Sequence, residues 1–391
     1  MRRAYEYVVI GCGGIGSAAA YWLSREAGEE VLALEQFYLG HERGGSEDHS
    51  RIIRLSYHAP EYTALTPHTY EAWSEVEEES GTRLVCRSGG LDLEPVEDEP
   101  RYVNQYAGAM RSAGIPHEEL SADEVMRRFP QFKLDDGVHA VYQADAGIVD
   151  AGKANATHVA LARARGATLL GDTPVRGVRP AGEGVLVTTE GGTFSARRLV
   201  VAAGAWTNRV LRHVGVEIPI TCTQEQVTYF RAPDLQAFSP EQFPVWIWHG
   251  GPDSSFYGVP VYGEPATKAG QDVGGDVVTV DTRTFETNER VRENLRGFLE
   301  RYIPGSVGPE LYTKTCLYDM PPDREFVLGV LPDAPQISVF NGAGHGFKFA
   351  SLVGRILSDL AVRGETQYQI EAFRPDRPAL TDPSYEPVFA M

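Results

Sequence analysis

Apolar positions first gather at Tyr7-Val8-Val9-Ile10, break at Gly11-Cys12-Gly13-Gly14-Ile15-Gly16, and resume in the small-residue run Ser17-Ala18-Ala19-Ala20-Tyr21-Trp22-Leu23. This predicts a short buried strand, a glycine turn and a helix. A second apolar run, Val31-Leu32-Ala33-Leu34, ends in Glu35. A polar, glycine-led loop follows and passes into Ser50-Arg51-Ile52-Ile53-Arg54, as a strand or as the start of a helix, and an amphipathic helix is expected over 62–79. Short strands over 83–95, two helices within 101–129, a helix ending near Arg165 and a strand over 166–170 come next. A meander then leads through 184–198 to a buried strand over 199–206. Between 221 and 303 the pattern changes to isolated β-like runs, at 226–231, 245–248, 256–262 and 277–280, separated by proline, glycine and aspartate and followed by a helix over 288–301. A strand over 337–340, a glycine-rich loop over 341–346 and a helix over 348–360 close the chain. The reading is an α/β fold, with an α+β second domain built on a mixed, mostly antiparallel β-sheet.

Gly11, Gly13 and Gly16 satisfy G-x-G-x-x-G between strand and helix. The first permits the turn, the second lets backbone approach a pyrophosphate, and the third lets helix and strand pack closely, with the helix N-terminus facing the phosphates. Glu35 stands 19 residues beyond Gly16, where an acid can accept ribose hydroxyls. The pattern predicts a Rossmann-like dinucleotide domain, and the run over 199–206 is the kind of strand that rejoins such a sheet late, so this domain is discontinuous in sequence. Cys12 reads as a small packing residue.

Composition narrows the function. With 36 basic and 54 acidic side chains the formal charge is −18, which argues against nucleic acid or an anionic membrane as partner and leaves small-molecule work. Cys12, Cys86, Cys222 and Cys316 have neither disulfide-framework nor metal-site spacing, so no metal and a reducing, cytoplasmic setting are expected. No signal-peptide pattern and no membrane-length apolar run is present in the sequence. Only five of the 36 basic residues are lysine, at 133, 153, 268, 314 and 348. A chain that uses arginine wherever a generic cation suffices keeps lysine where a compact, titratable point charge is wanted, or does so by chance.

Several stretches together carry a resemblance. The glycine fingerprint with Glu35, Ser50-Arg51-Ile52-Ile53-Arg54, Ala203-Gly204-Ala205-Trp206, Tyr257-Gly258-Val259-Pro260, Lys314-Thr315-Cys316-Leu317-Tyr318 with Pro322-Asp323, and Gly344-His345-Gly346-Phe347-Lys348 resemble the family of monomeric sarcosine oxidase, N-methyltryptophan oxidase and pipecolate oxidase, amine oxidoreductases of the D-amino-acid-oxidase type. The resemblance implies FAD, attached covalently at Cys316. It implies cofactor contacts from Gly11, Gly13, Gly14, Gly16, Glu35, Ser46, Arg51, Gly344, Gly346 and Lys348. Arg54 and Lys348 resemble the pair that holds a substrate carboxylate, Tyr257 and Tyr318 the wall beside the substrate, Arg51 a catalytic arginine near the flavin ring, and Lys268 the lysine that activates oxygen. It assigns 1–82, 145–220 and 320–391 to FAD binding, and 83–144 and 221–319 to the substrate domain. The implied activity is a monomeric oxidase that converts a small secondary amino acid, such as sarcosine, and oxygen to demethylated amino acid, formaldehyde and hydrogen peroxide. The alternatives are a cyclic imino-acid oxidase, an N-methyltryptophan oxidase, a dehydrogenase of the same fold, and a flavin-holding subunit without turnover. Two departures, Glu47 and Asp272 where the family has histidines, put the identity of the amine in doubt.

Overall fold

The computed structural model describes residues 2–96, 101–251 and 254–387. Residue 1 and residues 388–391, the outer ends of the expected FAD-binding segments, and residues 97–100 and 252–253 of the expected substrate segments, lie outside the described residues. Strand Ala4–Ile10 pairs in parallel with Val31–Leu34 on one side and with Gly192–Val201 on the other. The eight-stranded sheet extends from there to Thr168–Leu170 at one edge and through Gly184–Thr189 to Val175–Ala181 at the other, and Ala334–Asn341 joins Gly192–Val201 in parallel. Parallel strands covered on both faces read as continuous apolar runs, and Val31–Leu34 is buried at every position.

Helix Gly14–Ala27 lies on this sheet and packs against helix Ala350–Arg363. Its small residues are required by distance. A Cβ on Gly16 would meet the Gly11 carbonyl oxygen at 1.8 Å, and one on Gly354 would meet the Ala18 carbonyl carbon at 2.6 Å.

The second sheet has nine strands. Thr221–Phe230 is antiparallel to both Glu310–Met320 and Thr267–Gln271, and the sheet continues through Phe256–Val259, Val245–Trp248, Gly90–Pro95 and Val138–Gln143 to Glu118–Ser121. Only the pairing of Val245–Trp248 with Gly90–Pro95 is parallel among the described pairings of this sheet. A three-stranded sheet joins Arg51–Ile53, Gly147–Val149 and Val85–Arg87.

Some expectations shift. Residues 51–53 are a strand. The helix expected over 62–79 is two, Pro60–Thr63 and Thr66–Ser80, with Pro67 near the start of the second. Proline has no N–H for a helix interior and is tolerated in a first turn. The helix expected from Lys348 starts at Ala350, after a 3-10 turn Gly346–Phe349 that carries the lysine. The run at 277–280 is Asp276–Val278, an edge strand with Val277 exposed. No helix among the described residues is long and apolar enough to cross a membrane.

Candidate functional site

One cavity of about 740 Å³ lies between the two large sheets, within the roughly 300–1,000 Å³ usual for ligand pockets. One set of lining residues comes from the first sheet: Gly11, Gly13 and Gly14 of the turn, Glu35 and Trp206. Helix Gly14–Ala27 has no side-chain cap and no acid in its first turn, so its N-terminal N–H groups remain for an anion. Glu35, 4% exposed, accepts from Cys12 N at 2.9 Å and Phe37 N at 3.0 Å, and His41 Nε2 lies 3.3 Å away. Burial opposes its charge, yet these partners hold its pKa below the usual carboxylate range. It remains an anion with lone pairs to spare for hydroxyls. Ser46 Oγ would lie 3.2 Å from a Cβ on Gly13 or Gly14, which places the loop serine directly over the turn. This set fits a dinucleotide.

The second set comes from the other sheets. In Glu310–Met320, Thr315 and Leu317 are buried, while Cys316 and Tyr318 alternate with them at half-buried positions and line the cavity. Burial pushes the Cys316 thiol up to about 11, against the pull of Arg51. Antiparallel register sets Glu225 opposite Cys316 and Tyr229 opposite Lys268. Lys268, 4% exposed, is also paired in register with Val259, two residues from Tyr257, itself a lining residue. Burial and Arg51 push the Lys268 ammonium down to about 8, against the pull of Asp48. Arg51 donates to the Ser50 carbonyl at 2.8 Å and the Gly45 carbonyl at 3.1 Å, which fixes its guanidinium beside the loop.

Two further cations share one ring. Arg54 Cζ stands 5.0 Å and Lys348 Nζ 5.3 Å from the centroid of Tyr57, and Lys348 donates to the Tyr57 hydroxyl at 3.0 Å and the His345 carbonyl at 3.1 Å. Burial, then repulsion from Arg54, lowers Lys348 to about 7. Arg54 pairs through Nη1 with Asp92, which also accepts from Ser56 Oγ at 2.7 Å and lies 2.9 Å from His249 Nε2. Burial opposes the Asp92 charge, but Arg54 and His249 hold it at about 2. The Arg54 Nε has no hydrogen-bond partner. Asp272 meets the buried Arg324 at 3.4 Å.

The cavity thus brings together every expected site residue except Gly16, whose place is the contact of helix and strand. Lys268, Lys314 and Lys348 line it and Lys133 and Lys153 do not. Sequence reasoning missed Asp92, His249, Tyr57 and Arg324. An acid between Leu91 and Leu93 reads as the wet face of a strand, yet Asp92 is 3% exposed. No local signal marks the other three. Among the described residues, no group of three or more His, Cys, Asp or Glu is placed to hold a metal ion.

A family model described as FAD dependent oxidoreductase (DAO) matches residues 6–360. The chain is 37% identical over 393 residues to the monomeric sarcosine oxidase of Streptomyces avermitilis, covering 96% of this chain and 98% of that one. It is 28% identical over 378 residues to the N-methyl-L-tryptophan oxidase of Escherichia coli O139:H28, covering 95% and 99%. Among solved structures, NikD, an unusual amino acid oxidase essential for nikkomycin biosynthesis, superposes in its open form with a TM-score of 0.84 at 30% identity, covering 96% of this chain and 98% of NikD.

Proposed function

The chain belongs to the DAO family of FAD-dependent oxidoreductases, and from that premise we propose that it oxidises small N-methyl amino acids, sarcosine or a near relative, with oxygen as acceptor. The observation that carries the reading is the meeting in one cavity of a dinucleotide turn, Cys316, and two cations flanking Tyr57. FAD, when bound, accepts two electrons from the amine carbon and delivers them to oxygen. Overall, R–NH–CH₃, O₂ and H₂O give R–NH₂, formaldehyde and H₂O₂.

In this reading Gly11, Gly13, Gly14, Glu35, Ser46, Arg51, Gly344 and Gly346 hold the cofactor, and Cys316 is its covalent anchor. Arg54 and Lys348 bind the substrate carboxylate: Arg54, held by Asp92, brings a permanently charged guanidinium to the cavity wall, and Lys348 adds a point charge. Fixing the acid at one end orients the amine carbon at the other, the positioning effect that enzymes exploit most cheaply. Tyr257 and Tyr318 wall the site and exclude water. Lys268 stabilises the negative charge that develops on oxygen. Segments 1–82, 145–220 and 320–391 form the FAD-binding part, 83–144 and 221–319 the substrate part, and the protein works as a cytoplasmic monomer.

A cyclic imino acid, pipecolate or proline, is the second reading. It is favoured by Asp272, a cavity-lining carboxylate that pairs with Arg324 and acts on Lys348, at one of the two positions where the sequence departs from the family's histidines. Anaerobic mixing of the purified yellow protein with sarcosine, larger N-methyl amino acids, pipecolate and proline separates these. Rapid bleaching by the N-methyl compounds supports the first reading, bleaching by the cyclic amines alone moves it to the second, and no bleaching with any amine refutes both.

A further inference from the structure

The Lys268 ammonium has three N–H donors, and the protein takes up all of them. They point to Asp48 Oδ2 at 2.7 Å, the Ser50 carbonyl at 2.8 Å and Ser50 Oγ at 3.2 Å. Asp48 is itself unusual. Its side chain is 3% exposed, and its backbone sits at φ +80°, in the left-handed region that few non-glycine residues occupy. Both carboxylate oxygens accept from the Tyr229 hydroxyl at 2.7 Å, and Arg51 Nη1 lies 3.9 Å away. A strained backbone, a buried charge and a tyrosine from the neighbouring strand are therefore all committed to one contact with Lys268.

Resting on the reading that Lys268 serves oxygen, we propose that Asp48 is the positioning residue for that lysine: its carboxylate holds the ammonium in place on Ser50 and offsets the repulsion of Arg51. Two effects compete. A carboxylate at 2.7 Å weakens the field of the ammonium at a distance, but it also keeps the lysine charged. The charged and titratable groups around Nζ are Asp48 and Arg51 from the loop and its strand, Tyr229 behind, and Cys316 from the strand beyond; His49 faces the other side of Asp48, at 3.3 Å. With Asp48 present, burial and Arg51 already bring Lys268 to about 8. Without it, only the pull of Cys316 opposes them, and the equilibrium moves toward the neutral amine. Asp48, Lys268 and Arg51 sum to +1, and so do a neutral lysine and Arg51. The cluster charge is unchanged by the loss of Asp48, so what changes is where the positive charge sits. Asp48 puts it on the lysine, and the second effect wins.

The test uses Asp48→Asn and Asp48→Gly holoenzymes. Asn and Gly are the residues most at ease at positive φ, so the loop keeps its backbone. With five lysines in the chain, ¹³Cε-lysine NMR resolves the titration of each, and Lys268→Met assigns the signal. In the unaltered protein the Lys268 midpoint is expected at about 8, and in both Asp48 variants it falls by at least about one unit, a tenfold change in the charged fraction above the midpoint. Stopped-flow reoxidation of the reduced variants by oxygen should slow at least about threefold at pH 7.5 and recover as pH falls, while reduction by amine changes little. A midpoint that stays or rises, or reoxidation that quickens, overturns the inference. Normal reoxidation in Lys268→Met would sink the oxygen reading and this inference with it. A slow Lys268→Met beside a normal Asp48→Asn would sink the inference alone.

Discussion

Lys348 gives the sharpest test of the carboxylate clamp because it alone of the two cations titrates. Burial and Arg54 bring it from an ordinary 10.5 to about 7, whereas a guanidinium stays charged throughout. Below pH 7 the ammonium is already formed and a carboxylate binds it directly. Above pH 7 binding must first take up a proton, at about 1.4 kcal/mol for each pH unit. The dissociation constant of an inert carboxylate should therefore be flat from pH 6 to 7, then rise about tenfold by pH 8 and about a hundredfold by pH 9. Acetate is ionised across this range and serves as the probe, with binding read from the perturbed flavin absorbance at fixed ionic strength. Glu47, Glu225 and Asp319, each pushed up to about 7 by burial, and Lys268 at about 8 ionise in the same window. Lys348→Met is the control that separates them: it should bind more weakly at pH 6 and lose the slope. A flat profile in the unaltered protein, or an equal slope in Lys348→Met, refutes the assignment of Lys348 to the clamp.

Three other outcomes are expected. Acid precipitation should carry the yellow colour down with the protein, and Cys316→Ala should release it to the supernatant; colour left behind by the unaltered protein rejects the covalent link. Asp92→Asn removes one partner of a buried pair and should cost about 3–5 kcal/mol in urea denaturation, so an unchanged midpoint would show that Arg54 does not depend on Asp92. His158, stacked with Tyr21 and Trp73 with neither ring nitrogen hydrogen-bonded, is held neutral by burial, its pKa lowered from 6.5 to about 3. The unfolded chain takes up that proton first, so stability is lost as pH falls from about 6.5, by about 2 kcal/mol at pH 5; His158→Phe should abolish this component of the acid sensitivity measured by urea titration.

How much of this was legible depends on how local each signal is. The turn at Gly11–Gly16 and Glu35 could be read because one strand, one turn and one helix make the feature, and the chain writes them consecutively. The strand bearing Lys268 could not. Thr267-Lys268-Ala269-Gly270-Gln271 has neither apolar run nor alternation, and it is a strand because Thr221–Phe230 and Phe256–Val259 pair with both its edges. Rarity helped where periodicity failed, since three of five lysines in an arginine-rich chain line the cavity. Asp92 shows the opposite failure. Alternation with Leu91 and Leu93 marks it as solvent-facing, and the arrival of Arg54 and Ser56, and of His249, 157 residues away in sequence, gives that face partners. Long-range neutralisation of this kind leaves no trace in a window of ten residues.

The central claim is tested most directly by product stoichiometry. Air-saturated protein turning over sarcosine, and then a bulkier N-methyl amino acid, should yield one formaldehyde and one hydrogen peroxide for each amine consumed. Peroxide with pipecolate or proline and none with any N-methyl amino acid, or amine consumed only when an artificial electron acceptor replaces oxygen, would contradict it.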